Sequence, residues 1–356
     1  MSENALRDFL VRLVRREALS REDAEVLLDA MLDQDATDAQ IAAVLVALAA
    51  KGETVEELAG MAAGLRRRAV RIRCQHACFI DTAGTGSSLA KTFNISTAAA
   101  FVIAGAGLPV AKHGNRAASS RSGSADLLSA LGVNVNASPE VSQQCLNEID
   151  ICFMFAPLYH VATARVASIR RQLGIHTTFN LLGPLSNPAG APRQIVGVWN
   201  PDLVERMAEV LAASGTERAW VVHGEDGLDE ITLATKTLVA EVKGENVTCF
   251  EVEPKTFGLW RGSLEHLRGG DAEANGRIIR EVLSGKRRDE ARALIIANAA
   301  AALFVGGISN DLRVAANAAE DSIDSGAAWT KLEQLIERTN PSAQGPSPLG
   351  VKDAGA

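Results

Sequence analysis

The sequence predicts an α/β protein in which a small N-terminal helical domain joins a larger α/β domain with a mostly parallel central sheet. Two observations carry this. Over the first 70 or so residues apolar positions recur at helical spacing behind capping signals, and from near Arg71 onward β-like runs alternate with helix-like ones.

In the helical part, Leu6, Phe9, Leu10, Leu13 and Val14 fall on one face at i, i+3, i+4, i+7 and i+8. Three start signals follow: Ser20 with Asp23, Thr37 with Gln40 and Thr54 with Glu57. Each stands ahead of an apolar-periodic run such as Ile41, Val44, Leu45, Leu48, and Gly52 ends one of the helices. Four short helices enclose little core alone, so the bundle is expected to pack on the main domain or on another subunit. Beyond it, β-like runs at Phe79–Asp81, Pro109–Lys112, Ile151–Phe155, Arg193–Trp199 and Ala219–His223 alternate with helical stretches at 97–105, 125–131 and 202–214. Further β structure is expected over Leu228–Leu238 and Val239–Glu251, and a buried helix over Leu294–Val305. The tail 340–356, rich in Pro, Gly and Ser, is expected to be disordered.

A net charge of −7 gives no global attraction to nucleic acid or an anionic membrane. Aromatic residues make up only 4% against 47% hydrophobic, so the core is built from Ala, Val, Leu and Ile. The five cysteines, Cys74, Cys78, Cys145, Cys152 and Cys249, show no metal or disulfide spacing and read as free thiols. With no secretion signal and no long apolar span, a cytoplasmic location is expected.

Chemistry concentrates in four segments. From Asp81 to Thr97 a strand enters a Gly/Ser/Thr loop (Gly84, Thr85, Gly86, Ser87, Ser88) and then a helix. Glycines let backbone approach a phosphate, hydroxyls donate to it, and a helix N-terminus adds N–H groups and a dipole. Alone this would pass for an ordinary strand-to-helix turn. The segment 112–124, however, repeats the arrangement with Lys112, Arg116 and Arg121 among Ser119, Ser120, Ser122 and Ser124. Two such loops at the C-terminal ends of neighbouring strands would converge on one crevice, suited to a ligand with a pyrophosphate and a sugar phosphate. Third, Glu225, Asp226, Asp229 and Glu230 crowd a loop whose mutual repulsion a hard divalent cation would relieve. Last, Tyr159, His160 and the cationic stretch 165–188 offer arginines suited to a carboxylate. No nucleophile–base motif is present.

The motifs GTG…KTFNIST, VAKHGNR…SSRSGSAD, IRRQLGIHTTFNLLGPLSNP and HGEDGLDE, in that order, resemble the signatures of the anthranilate phosphoribosyltransferase family to about residue 335. The resemblance implies a class-II-nucleoside-phosphorylase-like fold: a helical domain over 1–73, joined by a returning segment near 165–185, and an α/β domain over 74–339. It implies transfer of phosphoribosyl from phosphoribosyl pyrophosphate (PRPP) to anthranilate in tryptophan biosynthesis, by a homodimer formed through the helical domain. Carried over, PRPP would be held by Gly84, Ser87, Ser88, Thr92, Asn94, Ser96, Thr97, Lys112, Ser119, Ser120 and Ser124. Two Mg²⁺ per subunit would be held by Ser96, Asp229 and Glu230. Anthranilate would meet Gly84, His113, Asn115, Tyr159 and Arg170, with electrostatic support from Lys112 and no residue assigned as catalytic acid or base. Two departures stand out. Ser87-Ser88-Leu89 replaces the glycine and aspartate of the usual GTGGDG loop, and Val161 replaces a proline. The competing readings are a phosphorylase, a transferase for another aromatic amine, and a nucleic-acid-binding relative on the same scaffold.

Overall fold

The structure, a computed structural model, describes residues 5–86, 90, 92–117 and 122–340. It opens with α1 (Ala5–Val14), α2 (Arg21–Leu32), α3 (Asp38–Lys51) and α4 (Val55–Arg68). Thr37 and Thr54 each form a reciprocal capping box with Gln40 and Glu57, whereas Ser20 only accepts from the Asp23 N–H. Leu6, Phe9 and Leu13 are buried as their spacing predicts. Val14 departs from that face and is exposed, because the chain turns away at Arg16, whose φ is 62°.

The second part begins with β1 (Ile80–Gly84), α5 (Ile95–Gly105), β2 (Val110–Gly114), α6 (Ser124–Leu131), α7 (Pro139–Ile149) and β3 (Ile151–Phe155). A helical stretch follows in α8 (Ala156–Tyr159), α9 (Ala164–Leu173) and α10 (Thr178–Leu185), then β4 (Arg193–Gly197), α11 (Leu203–Ala213) and β5 (Arg218–Gly224). The hairpin β6 (Thr237–Lys243) and β7 (Asn246–Val252) precedes α12 (Ala272–Leu283), α13 (Glu290–Val305), α14 (Leu312–Asp324) and α15 (Ala327–Thr339).

All seven strands form one sheet in the order β3-β2-β1-β4-β5-β6-β7; the first five are parallel and the last two antiparallel. Expected strand structure over 228–236 is absent. Leu228, Ile231 and Leu233 are buried there as anchors of a loop, and the Asn298 side chain takes over the pairing of a ladder. Its Oδ1 accepts the Ile231 N–H (2.9 Å) and its Nδ2 donates to the Ile231 carbonyl (3.0 Å).

Apolar burial divides on the two faces of the sheet. One core joins α5, α6, α7 and the Ala-rich α13; the other runs continuously from the helical bundle through α9 and α10 to α11 and the opposite face of β4–β6. In that second core α9 packs on α3, and α10 on α3 and α4. The chain leaves β1 in one direction toward β2 and β3, while β4 lies on its other side. The switch point between β1 and β4 opens a crevice at the carboxyl ends of the strands. Among the described residues, no helix is long and apolar enough to cross a membrane.

Candidate functional site

At the switch point Gly84 of β1 lies opposite Gly197 of β4. Thr85 ties the start of the loop down: its N–H and hydroxyl both donate to the Gly197 carbonyl (2.9 and 3.2 Å), and its oxygen accepts from the Trp199 N–H. The loop therefore leaves the sheet from a fixed point, with Gly86 at φ 70°. Asn94 precedes α5 but makes no side-chain cap to it. Its Nδ2 donates to the Ser122 carbonyl instead (3.1 Å), linking the two glycine/serine loops. Thr92 is half-buried, while Thr97 turns its side chain into the core beside Ala100 and Phe101 and only its backbone belongs to the opening turn of α5.

On β2, Lys112 is 4% exposed and reaches between β1 and the first turn of α5, donating to the Thr82 carbonyl, the Thr82 hydroxyl (3.3 Å) and the Ser96 hydroxyl (3.5 Å). Burial pulls its pKa down, against the attraction of Asp81 and Glu230. Asp81, wholly buried on β1, accepts the His113 N–H (3.2 Å). Burial pushes its carboxyl up to about 6, against the pull of Lys112. Beyond β2, Asn115 is exposed, and its carbonyl accepts from Ser124 Oγ (3.2 Å) and the Ala125 N–H, bending the chain back to α6.

The structure sorts the four carboxylates of the acidic loop into two pairs. Glu225 and Asp226 are spent within the loop: Thr235 donates to Glu225 (2.6 Å), while Thr232 and the Leu228 N–H donate to Asp226. Asp229 and Glu230 face the crevice. A Cβ on Gly197 would collide with the Asp229 carbonyl, so only glycine admits this approach there, and a Cβ on Gly84 would lie in contact with Asp229 Oδ2 at 3.4 Å. Glu230 Oε1 accepts the Ser96 N–H of the α5 first turn (3.2 Å). Desolvation, then the Asp229 charge, raise the Glu230 carboxyl to about 8, with Lys112 opposing. Segments near residues 84, 96, 112 and 230 thus meet at one place.

Around it, His113 Nδ1 pairs with the Gly183 carbonyl (3.3 Å), His160 Nε2 with the Ser186 carbonyl (3.1 Å), and the two rings stand 5.2 Å apart. Burial, then the neighbouring His160, lowers His113 to about 3, so the ring is neutral. Its Nδ1 carries the proton, and Nε2, buried without a protein partner, presents a lone pair. Arg170 of α9 donates from Nη2 to Asn180 (2.9 Å), lies over the Phe179 ring, and buries Nε without a partner. Between β4, β5 and the α9–α10 turn, a cleft of about 530 Å³ is lined by His176, Trp199, His223 and Asp226.

Tyr159, expected near the acceptor, lies in the tight α8 turn with its ring buried, 1% exposed, and its hydroxyl without a hydrogen-bond partner. Ser87, Ser88, Ser119, Ser120 and the tail 341–356 lie outside the described residues. Sequence reasoning assigned no role to Asp81 or Asn275. Asp81 carried a signal, a lone charge closing an apolar strand, whereas Asn275, inside an amphipathic helix, carried none.

A small helical bundle joined to an α/β domain with a mostly parallel sheet is the architecture of a glycosyl transferase family. The family model described as the glycosyl transferase family helical bundle domain matches residues 7–69, and that of its a/b domain residues 76–329. The chain belongs to the anthranilate phosphoribosyltransferase family. It is 51% identical over 330 residues to that enzyme from Anaeromyxobacter dehalogenans, covering 93% of this chain and 97% of the relative. It is 48% identical over 325 residues to the one from Moorella thermoacetica (91% and 96%). Its fold matches the crystal structure of the Thermus thermophilus enzyme with a TM-score of 0.88 at 38% identity, over 94% of this chain and 99% of that one. The Saccharomyces cerevisiae enzyme in complex with PRPP and Mg matches with a TM-score of 0.86 at 28% identity, over 95% and 99%.

Proposed function

We propose that this chain transfers the 5-phosphoribosyl group of PRPP to anthranilate, releasing pyrophosphate, as a step of tryptophan biosynthesis. One observation carries the reading: the Asp229-Glu230 pair is folded onto Gly84 and the Ser96 N–H, so carboxylates and anion cradle share one crevice. Two carboxylates that repel each other, beside a serine hydroxyl, fit Mg²⁺, which completes its shell with phosphate oxygens. Ser96, Asp229 and Glu230 would hold two ions per subunit. When bound, Mg²⁺ supplies charge neutralisation to the departing pyrophosphate.

The residues of the chain do the rest by position and charge. Lys112 is held between β1 and the first turn of α5, where it offsets charge developing on the leaving group. Gly84, Thr92, Asn94, Ser96, Thr97, Ser124 and the serines 87, 88, 119 and 120 would bind the donor. Arg170 would pair with the acceptor carboxylate, with Asn115 at the rim and the His113 Nε2 lone pair available to the aromatic amine N–H. An aniline nitrogen is uncharged at neutral pH, and both histidines are held neutral, so no strong base is called for. Closure of the helical domain (1–73 with 165–185) on the domain 74–339 would exclude water that otherwise hydrolyses the donor. Exposed Val11, Val14 and Val46 on the bundle support a homodimer through it.

Mixing protein, PRPP, Mg²⁺ and anthranilate and following anthranilate fluorescence tests the reading: fluorescence falls only with all four present. Persistent fluorescence, with folding confirmed by circular dichroism, would overturn it. Because Ser87-Ser88 stands where a Gly-Asp pair is usual in the family, Ser88→Asp is expected to shift the Mg²⁺ dependence of the rate; superimposable Mg²⁺ titrations would remove that expectation.

A further inference from the structure

We infer that Asn275 is a positioning residue for the donor site, which keeps the first turn of α5 open to phosphate by preventing Asn94 from capping its own helix. The inference rests on the PRPP reading above and adds a residue outside the four motifs. Asn at an N-cap normally turns its side-chain oxygen onto the N–H groups of the first turn. Asn94 stands at that position before α5 yet makes no such bond. Its amide is committed elsewhere. Asn94 Oδ1 accepts from Asn275 Nδ2 (3.1 Å) and from Ser122 Oγ (3.4 Å), and Asn94 Nδ2 donates to the Ser122 carbonyl (3.1 Å).

The orientation of this chain of amides is set at its far end. Asn275 is 2% exposed on α12, and its Oδ1 accepts the Gly270 N–H at 2.8 Å. An oxygen occupied by a backbone donor leaves the NH₂ to face Asn94, so Asn94 must present its oxygen, and its own NH₂ must then face Ser122. One backbone N–H thereby fixes two side-chain amides. The segment supplying it is pressed against the donor loop: Arg268 bridges to Thr92, and a Cβ on Gly269 would collide with the Thr92 carbonyl. The α12 start is itself capped by Asp271, whose Oδ1 accepts the Ala274 N–H (2.8 Å) and so holds Asn275 in place. The consequence falls on α5, whose Ser96 N–H points to Glu230 at the crevice rather than to a cap.

Without the Asn275 amide, Asn94 keeps only its contacts to Ser122, and its oxygen can swing onto the Thr97 N–H, closing a donor that would otherwise serve the phosphates. Asn275→Ala and the near-isosteric Asn275→Asp, which keeps the acceptor for Gly270 but loses the donor, should each raise the Kd for PRPP measured calorimetrically in MgCl₂ by about tenfold. The anthranilate KM should stay within about twofold in both. In an Asn94→Ala background the same substitutions should add less than about twofold. Amide exchange, measured without PRPP, separates this from general loosening: exchange at Thr97, the first-turn N–H that Glu230 does not already hold, should slow in Asn275→Ala, whereas a merely structural role would speed it. Unchanged or faster exchange there overturns the inference. So does a wild-type Kd retained by both variants, or a parallel rise in both substrates' constants. If wild-type protein itself takes up no PRPP, the functional reading fails, and the exchange result still decides the role of Asn275.

Discussion

Among the described residues two lysines have buried side chains, Lys51 and Lys112, and their surroundings differ in kind. In the helical bundle Lys51 pairs with Glu57 at 2.7 Å and donates to the Gly52 carbonyl. Glu57, wholly buried, also accepts the N–H groups of Leu19 (2.9 Å) and Thr54 (2.8 Å), so the pair is closed on itself. In the α/β domain Lys112 has neutral oxygens as its hydrogen-bond partners, and among the described residues no carboxylate lies within ion-pair distance. Asp81 and Glu230 act on it through charge alone, and both are themselves pushed up in pKa. A satisfied buried charge joins helices. One that is hydrogen-bonded but has no counter-ion in contact is poised for an anion that arrives later.

Breaking the closed pair should have the largest effect, and only on stability. Glu57→Ala leaves Lys51 buried without its partner and removes the acceptor for the Leu19 and Thr54 N–H groups, and should cost about 3–5 kcal/mol. Urea unfolding reads this, while the kcat of the folded fraction should change less than about twofold. A stability loss under about 1 kcal/mol would mean water reaches Lys51 and the contrast fails.

The opposite outcome is expected at the open lysine. Lys112→Met keeps the length of the stem and removes the charge beside the first turn of α5. kcat should fall by about 10²–10³ with the urea midpoint unchanged or raised, since a desolvated charge has gone. A variant that unfolds early while retaining kcat would make Lys112 a structural residue like Lys51.

The contrast also explains what can be read in the sequence beforehand. Capping boxes at Thr37 and Thr54 are legible because both partners lie three residues apart, and the parallel sheet because its strands recur as apolar runs. The division of labour among the four carboxylates is not, because it depends on Thr232 and Thr235, neutral residues that carry no signal until the loop folds. The loop from Leu228 reads as a strand because its apolar residues are buried and its backbone is paired; the partner is the side chain of Asn298, 67 positions beyond Ile231. Likewise Tyr159 matches an acceptor motif by neighbourhood, yet a four-residue helix decides which way its ring faces.

A smaller effect should appear in the pH dependence of stability. Asp81 has its folded-state carboxyl raised from 3.8 to about 6. Between those values the folded protein holds a proton that the unfolded chain has released, so this group makes stability fall as pH rises through the window. A rise of that size corresponds to roughly 3 kcal/mol at most. Asp81→Asn cannot titrate, so the stability difference, wild type minus variant, should decline from pH 4 to pH 6 and then level off. Parallel curves for the two proteins would show that Lys112 holds Asp81 ionised throughout, making the open site as closed as the bundle pair.

The last test asks whether the open character extends to the acceptor side. Arg170 has one hydrogen-bonded arm, on Asn180, a ring of Phe179 beneath it, and a buried Nε with no partner, so it resembles Lys112 more than Lys51. If its remaining donors serve the anthranilate carboxylate, Arg170→Ala should raise the acceptor KM by about 10- to 100-fold, the worth of a charge-assisted hydrogen bond. The PRPP KM should stay within about threefold, because the contacts of Arg170 are to Asn180 and Phe179 of α10 and not to the donor loops. Arg170→Lys should recover little, since a point charge cannot reproduce the planar fork. Steady-state kinetics with both substrates varied decides this: if the donor constant rises instead, Arg170 belongs with Lys112 at the pyrophosphate.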